Sequence, residues 1–317
     1  MTDNTWPLVS IITPSFNQAK YIEDTILSVR QQDYPHIEHI VIDGGSTDGT
    51  LDILQKYEDK LTWISEKDGG QADAINKGFR RATGDIFGWV NSDDFYVPGA
   101  IRTVVEHFQT HPQDSFIYGD AEALDESGKS YGIRTHVKQG GWQELVGELD
   151  FIVQPASFWR ANLWKTCGEL DESLHYTLDY EYWMRAARQF PPRYIPVLLA
   201  KERLYAAAKT FSGAVTRMEE IEMVARRHGG SGLPYNYRAE AAANYALRAF
   251  SRLKQRQWAG ANEDLGRALS IRPPFMKFAK YFGALALLGP ESLSGLWLGL
   301  NQRRAGQKAG TEIPKAN

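Results

Sequence analysis

An apolar run that ends in two adjacent carboxylates decides the fold of this chain, and it reads Phe87-Gly88-Trp89-Val90-Asn91-Ser92-Asp93-Asp94-Phe95. A parallel α/β sheet binds its ligand beyond the carboxyl ends of its strands, because loops and helix N-termini converge there. Two neighbouring aspartates at that edge repel each other unless a cation lies between them. A divalent cation that holds a diphosphate would meet this need. The same polar residues are also typical of an ordinary turn, so the motif alone leaves both interpretations open.

The sequence on both sides of this stretch alternates short apolar runs with helical patterns, which is typical of repeated βα units. The apolar runs predict strands at residues 8–13, 39–42, 61–64 and 86–90. Apolar residues at helical spacing predict helices at 21–29, 51–57, 71–81 and 99–110. Asn17 is predicted to cap the first helix. Four βα units in succession predict a mostly parallel sheet flanked by helices.

The second half of the chain is less regular and then becomes purely helical. Strands are predicted at 116–120, 130–137, 151–159 and 194–199, the first two as antiparallel additions, with a kink at Pro155 and a helix at 179–189. Helices are predicted at 216–227, 239–255, 258–270 and 275–288. The pair that ends at Pro273 resembles one tetratricopeptide hairpin. We therefore predict a larger α/β domain at 1–212 and a smaller all-α region at 213–317.

Composition sets the class of protein. The chain has 317 residues, of which 43% are hydrophobic and 24% charged, and these values are typical of soluble globular proteins. A net charge of −3 gives no reason to expect a nucleic-acid partner. The single cysteine, Cys167, cannot form an internal disulfide and favours a reducing, cytoplasmic location. Residues 1–6 do not resemble a secretion signal.

No apolar stretch in the sequence is long enough to span a membrane. The nearest is the stretch 281–300, which is interrupted at Gly289 and Pro290 and has basic residues nearby. Two interpretations stay open for it, a peripheral contact with a membrane surface and a packed helix hairpin.

Common nucleotide and metal motifs are absent from the sequence, which has no phosphate-binding Gly-Lys loop, no dinucleotide glycine motif after the first strand and no paired zinc ligands. Polar residues instead end four predicted strands, at 14–17, Asp43, Asp68 and 91–94. Carboxylates and amides suit hydroxyls, base edges and hard cations. No Lys or Arg is clearly placed at these ends to bind a phosphate, so a metal ion would have to do so.

In order and spacing, six stretches resemble the inverting family 2 glycosyltransferases, namely 9–17, 43–50, 68–78, 89–94 with Pro98, 168–172 and 178–185. The resemblance extends over roughly residues 7–210. It implies a GT-A-type fold, a nucleotide-diphosphate-sugar donor (a UDP-sugar is favoured) and Mg2+ or Mn2+ as cofactor.

The resemblance also implies roles for individual residues. The donor would contact Thr13, Pro14, Ser15, Asn17, Asp43, Asp68, Asn91, Ser92 and Asp93. Asp93 would bind the metal with Asp94 as an alternative ligand or as support behind it. Asp179 would be the catalytic base, which the resemblance favours over the alternative role of a helix cap. The acceptor is expected to contact Gln154, Trp159 and Tyr176, because aromatic rings stack on sugars and an amide can orient hydroxyls.

Two residues depart from the family pattern. Asn91 stands where the family usually has the first aspartate of its acidic motif, and Tyr205 stands where it often has a histidine. Asn91 adds no negative charge and predicts a modest affinity for the metal. Tyr205 replaces a residue that would contact the metal or the diphosphate, and Lys209 could still neutralise the diphosphate.

The predicted function is metal-dependent, inverting sugar transfer to a saccharide or lipid-linked saccharide in polysaccharide or glycoconjugate biosynthesis. The alternatives are a catalytically silent sugar-nucleotide or protein-binding module, which the two departures favour, and a sugar-phosphate nucleotidyltransferase. The second alternative would need a glycine-rich basic loop after the first strand, which residues 14–20 do not provide.

Overall fold

A computed structural model describes residues 6–134, 136–205, 208–209 and 213–288 of the chain. These residues form two compact units. The first contains the described residues up to Ala123, together with His136–Leu145 and Asp150–Arg203. The second contains Leu124–Thr135, Val146–Leu149 and the described residues from Leu204 onward.

The strands are β1 (Val9–Ser15), β2 (Ile37–Asp43), β3 (Thr62–Ser65), β4 (Ile86–Trp89), β5 (Phe95–Tyr96), β6 (Phe116–Leu124), β7 (Ser130–Ile133), β8 (Ser157–Arg160) and β9 (Arg193–Arg203). Helices of the first unit are α1 (Ile22–Arg30), α2 (Thr50–Lys56), α3 (Gln71–Arg81), α4 (Ala100–Thr110), α5 (Trp142–Gly147, which ends in the second unit), α6 (Ala161–Cys167) and α7 (Leu178–Ala187). Helices of the second unit are α8 (Ala214–Arg227), α9 (Arg238–Lys254), α10 (Trp258–Ser270) and α11 (Phe275–Leu288).

The sheet of the first unit has the strand order β3-β2-β1-β4-β8-β6-β9-β5. Its first part is parallel, because β1 pairs in parallel with β2 and β4, and β2 with β3. Its second part is antiparallel at the β4–β8, β6–β8 and β5–β9 pairs. The register sets Ser15 opposite Asp43, and Asp43 opposite Ser65. The carboxyl ends of the parallel strands therefore share one edge, and the predicted α/β fold is confirmed.

Helix α3 shows how the parallel part is covered. Its bounds are those predicted, and its buried face includes Ala72, Ile75 and Phe79. A Cβ atom on Gly78 would lie 2.4 Å from the Cγ2 atom of Ile12 in β1. The helix therefore packs on β1 at a distance that only glycine allows.

Some sequence predictions of local structure are wrong. Residues 151–156 are not a strand, since Gln154–Ala156 forms a 3-10 turn and β8 begins at Ser157. Pro155 lies in that turn, where its fixed φ and missing N–H are tolerated. Asn17 does not cap α1, which begins at Ile22, and instead has a left-handed φ of 53°. Elements β5, α5 and α6 were not predicted.

In the second unit, α9 packs along α10 and α11. As predicted for a hairpin with small residues inside, Ala243, Ala249 and Ala261 are fully buried. The predicted membrane-surface stretch 281–300 lies mostly outside the described residues. None of the described helices has both the length and the apolar composition that crossing a membrane requires.

Candidate active site

Asp43, at the end of β2, is fully buried and shapes the loop that follows it. Its Oδ2 atom accepts hydrogen bonds from the Gly45 N–H at 3.0 Å, the Ser46 N–H at 2.8 Å and the Ser65 hydroxyl at 2.7 Å. Its Oδ1 atom accepts the Ser46 hydroxyl at 2.5 Å. Four donors use the hydrogen-bonding capacity of one carboxylate. Asp43 therefore fixes the shape of the loop at residues 44–46.

The loop after β1 is hydrogen-bonded to the loop after β2. The Asn17 N–H donates to the Ser46 hydroxyl at 2.7 Å, and Asn17 Oδ1 accepts the Thr47 N–H at 2.9 Å. Asparagine tolerates the left-handed conformation that these bonds require. The two loops thus form one surface next to Pro14 and Ser15.

Thr13 and Ser15 differ in their surroundings. The Thr13 side chain is fully buried and its hydroxyl lies 3.0 Å from the Nε2 atom of His39. The buried Thr13 side chain is therefore turned away from a ligand, and the predicted donor contact of Thr13 stays a prediction. Ser15 is also buried, but its hydroxyl has no hydrogen-bond partner in the described part of the chain.

Asn91, the first polar residue after β4, is held by four hydrogen bonds. Its Oδ1 atom accepts from Gln71 at 2.8 Å and from the Trp89 indole at 2.9 Å. Its Nδ2 atom donates to Asp94 Oδ2 at 3.2 Å and to Gln154 Oε1 at 3.0 Å. All donor and acceptor positions of the amide are used. A hydroxyl of the donor would have to replace one of these partners, so the predicted donor contact of Asn91 stays a prediction.

The turn at residues 91–94, which we call the acidic turn, ends in a buried carboxylate. Burial raises the pKa of Asp94 well above its usual range, and the charges of Asp93 and Glu202 raise it further. The Asp94 carboxylate accepts the Arg203 N–H at 2.9 Å, and its backbone carbonyl accepts the Thr25 hydroxyl at 2.7 Å. Like charges crowded around a buried group favour the binding of a cation.

Arg203, at the end of β9, clamps the acidic turn. Its guanidinium donates to the Asp93 carbonyl at 2.9 Å and pairs with the Asp24 carboxylate. It also lies over the rings of Tyr21 and Phe95, at 5.1 and 5.0 Å from their centroids. The side chain is almost fully buried. Neither Arg203 nor Glu202 was predicted as a site residue.

The acidic turn offers part of a metal site. In the described part of the chain, no three His, Cys, Asp or Glu side chains form a complete ligand group. Mg2+ is commonly bound through one or two carboxylates, with substrate phosphates and water as the other ligands. Asp93, next to the charge-crowded Asp94, fits such a partial set.

Asp68 also lies at this edge of the sheet. A Cβ atom on Gly44 would be 2.8 Å from Asp68 Oδ2, so the loops after β2 and β3 are in close contact. Asp68 Oδ1 accepts the Gly70 N–H at 2.9 Å just before α3 begins. Gln71, the first residue of that helix, is the one that donates to Asn91. The structure therefore connects the Asp68 loop to the acidic turn.

Asp179 lies half-buried in the first turn of α7, and its Oδ1 atom accepts the Tyr180 N–H at 2.8 Å. The helix that carries it is firmly anchored, because Tyr182, Trp183 and Met184 are fully buried. Arg185 pairs with Glu181 one turn earlier. The catalytic role of Asp179 stays a prediction.

The loop before α7 is tied to α3 through Asn76, which is fully buried. The Asn76 amide donates to the Leu170 carbonyl at 3.0 Å and accepts the Leu170 N–H at 2.9 Å. Arg80 of the same helix forms a bidentate pair with Glu169. Helix α3 is thus bonded at its start to the acidic turn and further along to the segment that leads to Asp179.

The three predicted acceptor residues have different surroundings. Gln154 is buried and donates to the Trp89 carbonyl at 2.7 Å, so it supports the acidic turn. Trp159 is 0% exposed and packs against Phe79, Tyr182 and Trp183. The prediction for Trp159 is therefore wrong, because its side chain is on the core face of β8. Tyr176 is half-buried beside His175 and stays a predicted acceptor contact.

Comparison with known proteins shows the family of the chain. The family described as Glycosyl transferase family 2 matches residues 10–150. An uncharacterized glycosyltransferase of Rickettsia typhi is 31% identical over 229 residues, which are 70% of this chain and 72% of that protein. The chain belongs to the family 2 glycosyltransferases.

Two solved structures share the fold of this family 2 glycosyltransferase. S. aureus TarS in complex with UDP-GlcNAc has a TM-score of 0.59 at 19% identity, covering 94% of this chain and 92% of that one. The mannosyltransferase PcManGT of Pyrobaculum calidifontis, in complex with GDP-Man and Mn2+, has a TM-score of 0.55 at 17% identity, covering 96% and 89%. The family match includes the acidic turn, whereas Asp179 and Arg203 lie beyond its end.

Proposed function

We propose that this glycosyltransferase moves a sugar, with inversion, from a nucleotide-diphosphate donor to a hydroxyl of a saccharide or lipid-linked saccharide in polysaccharide or glycoconjugate biosynthesis. The observation that carries the proposal is the acidic turn, with its crowded carboxylates beside the loops after β1 and β2. A UDP-sugar is the favoured donor, since TarS binds UDP-GlcNAc. The single cysteine supports a cytoplasmic location.

In this proposal the two linked loops bind the nucleoside. Pro14, Ser15 and Asn17 would contact the donor next to the loop that Asp43 shapes. The Ser15 hydroxyl is buried and has no hydrogen-bond partner among the described residues. Asp68, Asn91 and Ser92 lie at the same edge of the sheet, and they would contact the ribose and the diphosphate of the donor. Binding of a ribose hydroxyl at Asn91 would replace one of its four protein partners.

Asp93 would bind Mg2+ or Mn2+. The buried Asp94 would support Asp93 or serve as an alternative ligand. When bound, the cation would offset the negative charge that develops on the leaving diphosphate. Arg203 and Thr25 fix the turn from both sides through the Asp93 and Asp94 backbone carbonyls. This fixed backbone limits how far the Asp93 carboxylate can move before the donor arrives.

Asp179 would act as the general base. It would take the proton of the acceptor hydroxyl while the acceptor oxygen bonds to the anomeric carbon and the bond from that carbon to the diphosphate breaks. A single displacement of this kind inverts the configuration of the anomeric carbon. The buried α7 would keep the carboxylate in place during the attack.

Replacing Asp179 with Asn tests this role. Asp179→Asn should leave the affinity for UDP-sugar with Mn2+ within a few-fold, and should lower kcat by about 10²–10⁴-fold because the base is lost. Donor binding is measured by calorimetry, and UDP release with an acceptor gives the rate. NMR of the product reports its anomeric configuration, which should be opposite to that of the donor.

Asp52→Asn is the matched control, because Asp52 also lies in the first turn of a helix and is exposed. It should retain the native kcat. Equal rates for the native enzyme and Asp179→Asn would show that Asp179 is not the base. A product that keeps the anomeric configuration of the donor would show that the mechanism is not inverting. Full activity after chelation of divalent ions would remove the metal requirement.

A further inference from the structure

A cleft of about 420 Å³ in the second unit is lined by four arginines. They are Arg226 of α8, Arg238 of α9, Arg267 of α10 and Arg272, which follows α10. Its size is within the range of small-molecule sites, which is about 300–1,000 Å³. None of the four belongs to the predicted donor, metal or acceptor residues.

One carboxylate, Glu222, serves two of these arginines. It pairs with Arg226 at 2.9 Å and with Arg267. Burial alone would raise the pKa of the Glu222 carboxyl, but the hydrogen bonds from Arg267 and Arg226 lower it below its ordinary value. Glu222 is therefore ionised at neutral pH and contributes one negative charge against four positive charges.

The other two arginines have no carboxylate partner within the described residues. Arg238 donates from Nε to the Leu233 carbonyl at 3.2 Å, which leaves the rest of its guanidinium fork open. Arg272 is exposed and lies in the turn between α10 and α11. A cleft lined by charges of one sign focuses its electric field and attracts ions of the opposite sign, so these arginines favour an anion.

The backbone shapes this cleft around its arginines. A Cβ atom on Gly232 would lie 3.2 Å from the Arg226 guanidinium and 3.5 Å from the Glu222 carboxylate, so a side chain there would crowd the ion pair. Arg272 has a left-handed φ of 48°, which is uncommon for a residue other than glycine. Arg272 takes this conformation just after α10 and lines the cleft together with the other three arginines.

We propose that this cleft binds a phosphate ester or diphosphate group. A guanidinium fork matches phosphate oxygens in a bidentate manner. Several forks can share one phosphate, because it has more acceptor oxygens and more charge than a carboxylate. Glu222 already neutralises part of the pair formed by Arg226 and Arg267, so Arg238 and Arg272 supply most of the attraction for the incoming anion.

Inorganic pyrophosphate is the probe for this site, titrated calorimetrically into the full chain with a chelator present to exclude divalent ions. Arg238→Gln and Arg272→Gln should each weaken binding by about tenfold, because each removes a charge-assisted contact to phosphate. The double variant should weaken it further. Raising the salt concentration should weaken binding to the native chain, since the contacts are ionic.

Arg256→Gln is a closely matched control. Arg256 is exposed, has a left-handed φ of 59° and follows the end of α9 just as Arg272 follows the end of α10, but it does not line the cleft. The affinity of the Arg256→Gln variant for pyrophosphate should stay within about twofold of the native value, because Arg256 makes no phosphate contact in the proposed site. No binding by the native chain, or equal losses in Arg256→Gln and Arg272→Gln, would overturn the proposal.

Two further titrations identify the source of the phosphate once the cleft is established. One uses soluble glycerol phosphate, and the other uses phosphatidylcholine vesicles that contain phosphatidic acid. A selective loss of vesicle binding in the double variant, relative to Arg256→Gln, would identify a lipid headgroup. A selective loss of glycerol phosphate binding alone would identify a soluble phosphate ester. Both results support the phosphate site.

Discussion

Asn91 departs from the family pattern, and its contacts in this structure explain why an amide suits the position. Its Nδ2 atom donates to Asp94 Oδ2 and to Gln154 Oε1, while its Oδ1 atom accepts from Gln71 and Trp89. An aspartate could accept hydrogen bonds from Gln71 and Trp89. It could not donate to Asp94 or Gln154. The amide therefore lets the buried Asp94 carboxylate remain next to it.

We expect Asn91→Asp to destabilise the protein by about 2 kcal/mol near pH 8. The new carboxylate oxygen would face Asp94 Oδ2 and Gln154 Oε1 without a hydrogen to donate, and it would add a negative charge beside Asp94. The pKa of Asp94 is already raised by burial and by Asp93 and Glu202. A lower pH should therefore protonate the carboxylates and recover part of the loss. Urea unfolding at two pH values measures this effect.

Asn262→Asp, at an exposed position on α10, is the control and should change stability little at either pH. A loss for Asn91→Asp that is the same at both pH values would show that charge repulsion is not its cause. Added Mn2+ should also reduce the loss if Asp93 binds the ion, since a cation offsets the extra negative charge.

The strand-end residues of the site could be predicted because parallel strands bring their carboxyl ends to one edge. Asp43, Asp68 and the acidic turn are connected there, as expected from their order in the sequence. Arg203 could not be predicted in the same way, because β9 reaches the turn from a position 109 residues away from Asp94. The predicted strand at 194–199 also ends before Arg203, whereas the observed β9 extends to it.

Among the elements, α3 links the two parts of the site most directly. Gln71 at its start contacts Asn91, and Asn76 one turn later holds the Leu170 backbone through two hydrogen bonds. The segment from Gly168 onward then leads into α7 and Asp179. The arrangement couples the position of the predicted base to the packing of a helix that begins beside the acidic turn.

We expect Asn76→Ala to lower the free energy of unfolding by about 3 kcal/mol, because it leaves a buried N–H and a buried carbonyl of Leu170 without partners. It should also lower kcat several-fold with little change in the KM for donor, since the segment before Asp179 is loosened. Denaturant unfolding and steady-state kinetics measure the two effects.

Asn162→Ala, at an exposed asparagine of α6, should change neither the stability nor kcat. If Asn76→Ala is destabilised but keeps the native kcat, the contact between α3 and the Leu170 backbone does not affect catalysis.

Elements with a strong helical period were predicted to the residue, as for α3, α10 and α11. Their boundaries follow from local signals such as Gly70 before α3. The segment 151–156 was not predicted correctly, because its apolar residues resemble a strand but Pro155 and packing impose a 3-10 turn. Short elements such as β5 depend on pairing with β9, which local sequence does not encode.

For the whole molecule, the two compact units need not unfold in one step, so stability should be followed with a probe of known location. Seven of the nine tryptophans belong to the first unit, at Trp6, Trp63, Trp89, Trp142, Trp159, Trp164 and Trp183. Tryptophan fluorescence therefore reports mainly on the glycosyltransferase sheet.

This probe allows a test of the pH dependence that His39 should impose on the first unit. His39 is buried in β2 next to Thr13, and burial lowers its pKa from 6.5 to about 4. Between these two values the unfolded chain binds a proton that the folded chain does not bind. Stability should therefore be fully retained above the unfolded pKa and fall as the pH drops toward the folded pKa, by about 3 kcal/mol in total.

His39→Gln should remove this part of the pH dependence, because glutamine does not titrate, while an amide can still bond to the Thr13 hydroxyl. His36→Gln, three residues earlier and exposed, should leave the native pH profile in place. Denaturation curves followed by fluorescence at a series of pH values would make the comparison. If His39→Gln and native protein lose the same stability between pH 6.5 and 4, acid sensitivity of the sheet comes from other groups than the buried imidazole.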